Sequence, residues 1–174
     1  QQQRKWLFLI ILSLVWGSSY ILIKKALLGF EPITLSALRI TTSAFLLLTF
    51  GFSSLKKIQK HQWKYIFYTA FLGTFFPVFL FSFAVEEIDS SIASILNSLT
   101  PFNTFFLGVV VFGFGFKKKQ FIGILLGLIG TSILILKGAT MNPDQNYWFA
   151  VLPIIATFGY AMNVNMVKKH LADL

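Results

Sequence analysis

The sequence predicts an all-α membrane protein, a multi-span helical bundle, and three observations carry that prediction. Hydrophobic residues make up 56% of the 174-residue chain and charged residues only 12%, against about a quarter charged in a soluble domain. The apolar residues fall into six runs of spanning length, roughly Trp6 to Ile23, Ile33 to Phe52, Trp63 to Val85, Ser91 to Phe116, Phe121 to Leu136 and Tyr147 to Val167. These runs lack the two-residue alternation of barrel strands, so only helices can satisfy their backbone groups in lipid.

The first run is too long for a signal-peptide core and lacks a small-residue cleavage site, so it reads as a retained span. Within it, Trp16, Ser19 and Tyr20 lie at helical spacings, an aromatic face with polar tips that suits an amphipathic solute. For Tyr20 a packing role is at least as good a reading.

The second run, PITLSALRITTSAFLLLTFG, holds the one cation set among apolar residues, Arg39. A guanidinium keeps its charge, and placing it in hydrocarbon costs about 2.5 to 3.5 kcal/mol on insertion scales. One reading puts Arg39 on a polar pathway, facing an anionic group such as a carboxylate. The other makes it structural or snorkelling: from an entry at Pro32 it lies about 10 Å deep, and its side chain leans back toward the helix start.

In the third run Pro77 predicts a kink that frees the Gly73 carbonyl, with hinge or packing as its role. In the fourth, Ser90, Ser94, Asn97, Pro101 and Thr104 recur at spacings of four, three, four and three residues, which predicts a polar stripe on one helical face. Pro101 has no N–H for the carbonyl of Asn97, so that carbonyl and the Asn97 amide are both offered to a cavity. Interhelical packing is the competing reading, stronger for Ser90 and Ser94 than for Asn97. Gly123, Gly127 and Gly130 give the fifth run a small-residue face suited to close helix packing. Tyr160 and Asn163, three apart in the sixth run, match the depth of Trp16 and Ser19.

Orientation follows from the basic residues. With the N-terminus in the cytoplasm, Arg4, Lys5, Lys56, Lys57, Lys60, Lys64, Lys117 to Lys119, Lys168 and Lys169 fall inside. Only Lys24, Lys25 and Lys137 fall outside, which is the positive-inside pattern. Lys117 to Lys119 are open to anionic lipid, though as a topology anchor they need no further role. A shift of 142 positions lays Trp6 on Trp148, Trp16 on Phe158 and Gly17 on Gly159. Five spans separate the two copies, and an odd repeat inverts topology, as in many alternating-access transporters.

These residues resemble the drug/metabolite transporter superfamily, EamA type. The resemblance covers the whole chain and is carried by Trp16-Gly17-Ser18-Ser19, by Pro32 with Arg39, by ASILNSLTP from Ala93 to Pro101, and by Gln120-Phe121-Ile122-Gly123 leading to Gly127 and Gly130. It departs where Gly113-Phe114-Gly115-Phe116 replaces the family's glutamate after the fourth span, and in the acidic Glu86-Glu87-Ile88-Asp89. The resemblance implies an EamA-like inverted-repeat transporter that is incomplete in this chain: residues 1–138 form the first five-helix repeat, and residues 139–174 begin the second with one helix. The missing second repeat, or a homo-oligomer, would then complete the gates.

Absences narrow the chemistry. The spans contain no Asp, Glu or His for a proton relay, and no nucleophile with a base beside it, so an enzyme is not expected. There is no cysteine, and His61 and His170 read as interfacial, so neither metal nor cofactor is expected. The net charge of +9 sits in clusters between apolar runs rather than on a stripe, which points to the lipid bilayer and away from nucleic acid. The expected function is movement of a small-molecule substrate, an amino acid or related amphipathic metabolite, across an inner or plasma membrane, more readily as an exporter. The expected substrate contacts are Arg39, Trp16, Ser19, Asn97, Ser94, Tyr160 and Asn163, with Pro101, Pro77, Gly123 and Gly127 in structural or gating roles. The alternative is a membrane scaffold in which Arg39 is structural and the polar stripe is interhelical glue.

Overall fold

The computed structural model describes residues 2–138 and 144–173, and among them there is no strand. The first two spans are continuous: α1 covers Gln2–Ala26 and α2 covers Pro32–Gly51, with Pro32 at the first turn, where its missing N–H costs nothing. The third span is composite, α3 (Trp63–Ala70) running through a π-helical turn (Phe71–Phe75) into α4 (Phe76–Glu87). Pro77 explains the irregularity: it cannot donate to Gly73, and the helix widens ahead of it, with the Phe76 N–H bonding the Phe71 carbonyl.

The fourth span is two helices, α5 (Ser90–Asn97) and α6 (Thr100–Val110), broken at Ser98–Leu99. Pro101 sits in the first turn of α6, and the break closes through Ser98 N–H to Ile95 and Leu99 N–H to Leu96. This corrects the expected single polar face, because Ser94 and Thr104 lie on different helices. The span also stops at Val110 rather than Phe116. Gly113 adopts φ +71, a conformation that favours glycine, and the Phe114 N–H turns back to the Gly108 carbonyl at 2.8 Å. The fifth span is α7 (Lys118–Gly138), and the sixth is α8 (Val151–His170) after a short 3₁₀ turn, Tyr147–Ala150.

Among the described residues, five helical stretches are long and apolar enough to cross a membrane, and α7, at 21 residues, spans a further ~30 Å at 1.5 Å per residue. The outward faces of α1 and α2 are apolar and bare, with Leu47 72% and Phe50 87% exposed. Such a surface belongs in hydrocarbon rather than water. The chain is an integral membrane protein.

The centre of the bundle is α8, which packs on α3, the π turn, α4, α5 and α6. Gly159 makes this possible: a Cβ there would lie 2.6 Å from the Leu72 carbonyl oxygen. Two polar contacts join α8 to the fourth span. Asn103 donates to the Thr157 hydroxyl at 2.9 Å, and Asn165 donates to the Thr104 carbonyl at 2.9 Å. Buried amides are satisfied this way between membrane helices, where water cannot serve.

The two ends of the bundle differ. At the lysine-poor end, Ile23, Leu35, Phe81, Val85, Ile88 and Ala93 form a closed apolar core. The Lys24 ammonium donates to the carbonyls of Val85 at 2.6 Å, Glu86 at 3.0 Å and Ile88 at 3.2 Å, satisfying the C-terminus of α4. Gln145 accepts from the Asp89 N–H at 3.1 Å, and its amide nitrogen donates to the Asp89 carboxylate. At the lysine-rich end His170 stacks on Tyr65, ring centres 3.9 Å apart.

Candidate functional site

Behind the closed end lies a cavity of about 640 Å³, bounded by the first, second, third, fourth and sixth spans. That size is ordinary for a small-molecule site. α1 contributes Trp16, Ser19 and Tyr20; α2 contributes Arg39; the break in the fourth span contributes Asn97, Ser98, Thr100 and Pro101. α8 adds Tyr160 and Asn163, and the third span adds Gly73, Val78 and Phe81.

Six of the seven expected substrate contacts therefore line one space: Trp16, Ser19, Arg39, Asn97, Tyr160 and Asn163. Ser94 does not. It lies one turn before the break, and its hydroxyl donates to the Ser91 carbonyl at 2.7 Å on its own helix. Of the expected structural residues, Pro101 lines the cavity and Pro77 is buried, with its Cγ 3.5 Å from where a Gly159 Cβ would sit. The close-packing face expected from Gly123, Gly127 and Gly130 is a correction: a Cβ on any of them meets nothing within 4 Å. Their helix sits at the margin of the bundle, mainly against α5 and α6. The close approaches are at Gly159, at Gly108, where a Cβ would lie 2.9 Å from the Asn165 Oδ1, and at Gly73, where a Cβ would lie 2.0 Å from the Asn163 Nδ2.

The cavity wall is aromatic and its charge is one-sided. Phe81 lies edge-on to Tyr20, centroids 5.5 Å apart, and is stacked with Tyr160 at 6.1 Å. Asn97 accepts at Oδ1 from the Thr100 hydroxyl at 3.1 Å, which orients its amide. Among the described residues no acid lines the cavity. The Arg39 Nη1 is buried, and no group among the described residues accepts a hydrogen bond from it. A buried donor on a charged group is costly to leave unmade.

Tyr20, weighed as a packing aromatic, and Phe81 belong to the same wall. The signal for Tyr20 was its spacing from Trp16; Phe81 sits in an unbroken apolar run and gave none. Asn103 and Asn165 were also missed, although an asparagine in an apolar span is itself a signal of buried bonding.

Residues 4–136 match the profile of the EamA-like transporter family. The chain belongs to that family. Curated relatives agree with the EamA-like assignment. The chain is 32% identical over 164 residues to a protein of Salmonella typhimurium called a probable amino-acid metabolite efflux pump, covering 92% of this chain and 52% of that one. It is 25% identical over 170 residues to an uncharacterized transporter of Buchnera aphidicola, covering 97% and 56%. It is 24% identical over 163 residues to the uncharacterized inner membrane transporter YedA of Escherichia coli K12, covering 88% and 49%. This EamA-like chain thus spans about half the length of the curated relatives it matches. No solved structure matches it.

Proposed function

We propose that this chain supplies one part of an exporter of small amphipathic organic carboxylates, amino acids and their close relatives among them. The observation that carries the reading is the Arg39 Nη1, buried at the edge of a 640 Å³ cavity with its donor unspent and no acid in the lining. A carboxylate takes a guanidinium in paired, charge-assisted hydrogen bonds. Trp16, Tyr20 and Tyr160 then offer ring faces to the organic body, while Ser19, Asn97 and Asn163 offer the polar tips that fix its orientation. The name of the Salmonella relative, a probable amino-acid metabolite efflux pump, supports the solute class and the outward direction.

On this reading residues 1–138 are a first five-helix repeat and residues 139–174 begin a second, inverted one. Movement is alternating access between the two halves about the Arg39 site. The setting is the inner membrane with the N-terminus cytoplasmic, supported by the excess of lysine at one end of the bundle and by the name of the Escherichia coli relative. The boundary between the two parts lies beside residues 139–143, outside the described residues.

The test is counterflow in proteoliposomes, with a panel of labelled amino acids and amphipathic carboxylates offered to wild type, Arg39→Gln and Asn97→Ala. Exchange by wild type that falls strongly in Arg39→Gln supports the reading. No exchange of any panel member by a protein that carries both repeats favours the scaffold role instead.

A further inference from the structure

A second hollow, of about 590 Å³, opens at the lysine-rich end between α6, α7 and α8. It meets the central cavity only at Thr100, Pro101 and Val164, which border both. Of its lining residues Lys117, Gln120 and Lys168 are exposed, while Phe105, Val109 and Ile124 are half-buried.

Two lysines, Lys117 and Lys168, border this hollow. Among the described residues no acid lines the hollow, and Lys168 is seated on the Phe114 ring, 4.1 Å from its centre. The first turn of α7 carries Lys118 and Lys119 and no acid, although a helix N-terminus is already a partly positive site. Positive charges brought together in this way repel unless an anion joins them. A cationic mouth above an apolar slot is also the complement of one molecule in particular, an anionic phospholipid, with phosphate above and acyl chain below. We propose that this groove is a specific anionic-phospholipid site, with the phosphate held by Lys117, Lys168 and Gln120 and an acyl chain lying along Phe105, Val109 and Ile124. The lipid wedges between α7 and α8 beside the Pro101 break, so its occupancy is linked to the wall that the groove shares with the central cavity. This assignment stands apart from the nature of the transported solute.

The chain has no cysteine, so a single Gly115→Cys, where a Cβ meets nothing within 4 Å, carries a solvent-sensitive fluorophore at the groove alone. The purified, labelled protein in neutral detergent is titrated with dioleoyl phosphatidylglycerol, dioleoyl phosphatidylcholine and inorganic phosphate. The expected result is a saturable shift with the anionic lipid only. It weakens at least about tenfold in Lys117→Gln/Lys168→Gln, from about 1 kcal/mol for each lysine removed. It is retained in Lys117→Arg/Lys168→Arg and in the distant Lys56→Gln/Lys57→Gln. Equal response to the two lipids, saturation by free phosphate at comparable concentration, loss in the arginine pair, or no response at all would each overturn the proposal.

Discussion

Lys24 and Arg39 are both cations carried on apolar helices of the same bundle, yet the fold treats them in opposite ways. Lys24 spends its ammonium on three carbonyls at the end of α4, all within 3.2 Å. Arg39 reaches a cavity with its Nη1 buried and unspent. The first arrangement ties α1 to the third span and completes a helix end. The second leaves a buried donor with no acceptor among the described residues, the donor that the proposed function assigns to the solute carboxylate. Charge within a membrane helix therefore does not announce function by its presence; what differs between these two cations is whether their donors are satisfied within the bundle.

The sharpest way to break this contrast is Arg39→Gln. A hydrogen bond to a charged group is worth about 1.5 to 3 kcal/mol, so substrate exchange should fall roughly tenfold to a hundredfold or more. Thermal stability should hold or rise, because a buried unpaired charge has been removed. A stability loss with exchange intact would make Arg39 the clasp. Lys24→Met should do the reverse: the melting temperature falls with a loss of about 1 to 2 kcal/mol as the α4 carbonyls lose their donor, while the KM for substrate stays within about twofold. A changed KM with unchanged melting would move Lys24 into the site.

Gly73→Ala sharpens the comparison from the cavity wall. Its Cβ would collide with the Asn163 amide at 2.0 Å, and shifting a packed group costs about 1 to 3 kcal/mol. Melting should show that loss, and substrate affinity should move with it because Asn163 is displaced. Asn97→Ala is the smallest of these changes, removing neutral hydrogen bonding worth about 1 kcal/mol. Exchange should fall about fivefold in affinity with little change in melting.

The spans were legible because hydropathy and length decide them, and the lysine bias marks the ends. The cavity residues were legible where one helix sets their spacing, as with Trp16 and Ser19 on α1, or Tyr160 and Asn163 on α8. The failures share a cause. Helical spacing joined Thr104 to Ser94 and Asn97 in one stripe, but the backbone breaks after Asn97, and periodicity holds only within one continuous helix. Pro77 announced a lost hydrogen bond but not the π turn that absorbs it. Gly123, Gly127 and Gly130 have the right spacing for a packing face, yet a Cβ added at any of them would meet nothing within 4 Å. The Lys24 clasp depends on carbonyls more than sixty residues away. No local pattern encodes such a contact.

The claim that the cavity receives anions on Arg39 has a direct test in thiol chemistry, since the chain has no native cysteine. Ser19→Cys, in the cavity wall, is reacted with anionic and cationic methanethiosulfonates of similar size, with Arg39 present and with Arg39→Gln. The account predicts that the anionic reagent reacts at least about tenfold faster, as expected where a cation biases a low-dielectric cavity by more than about 1.4 kcal/mol, and that Arg39→Gln removes the preference. Equal rates for the two reagents with Arg39 in place would contradict it.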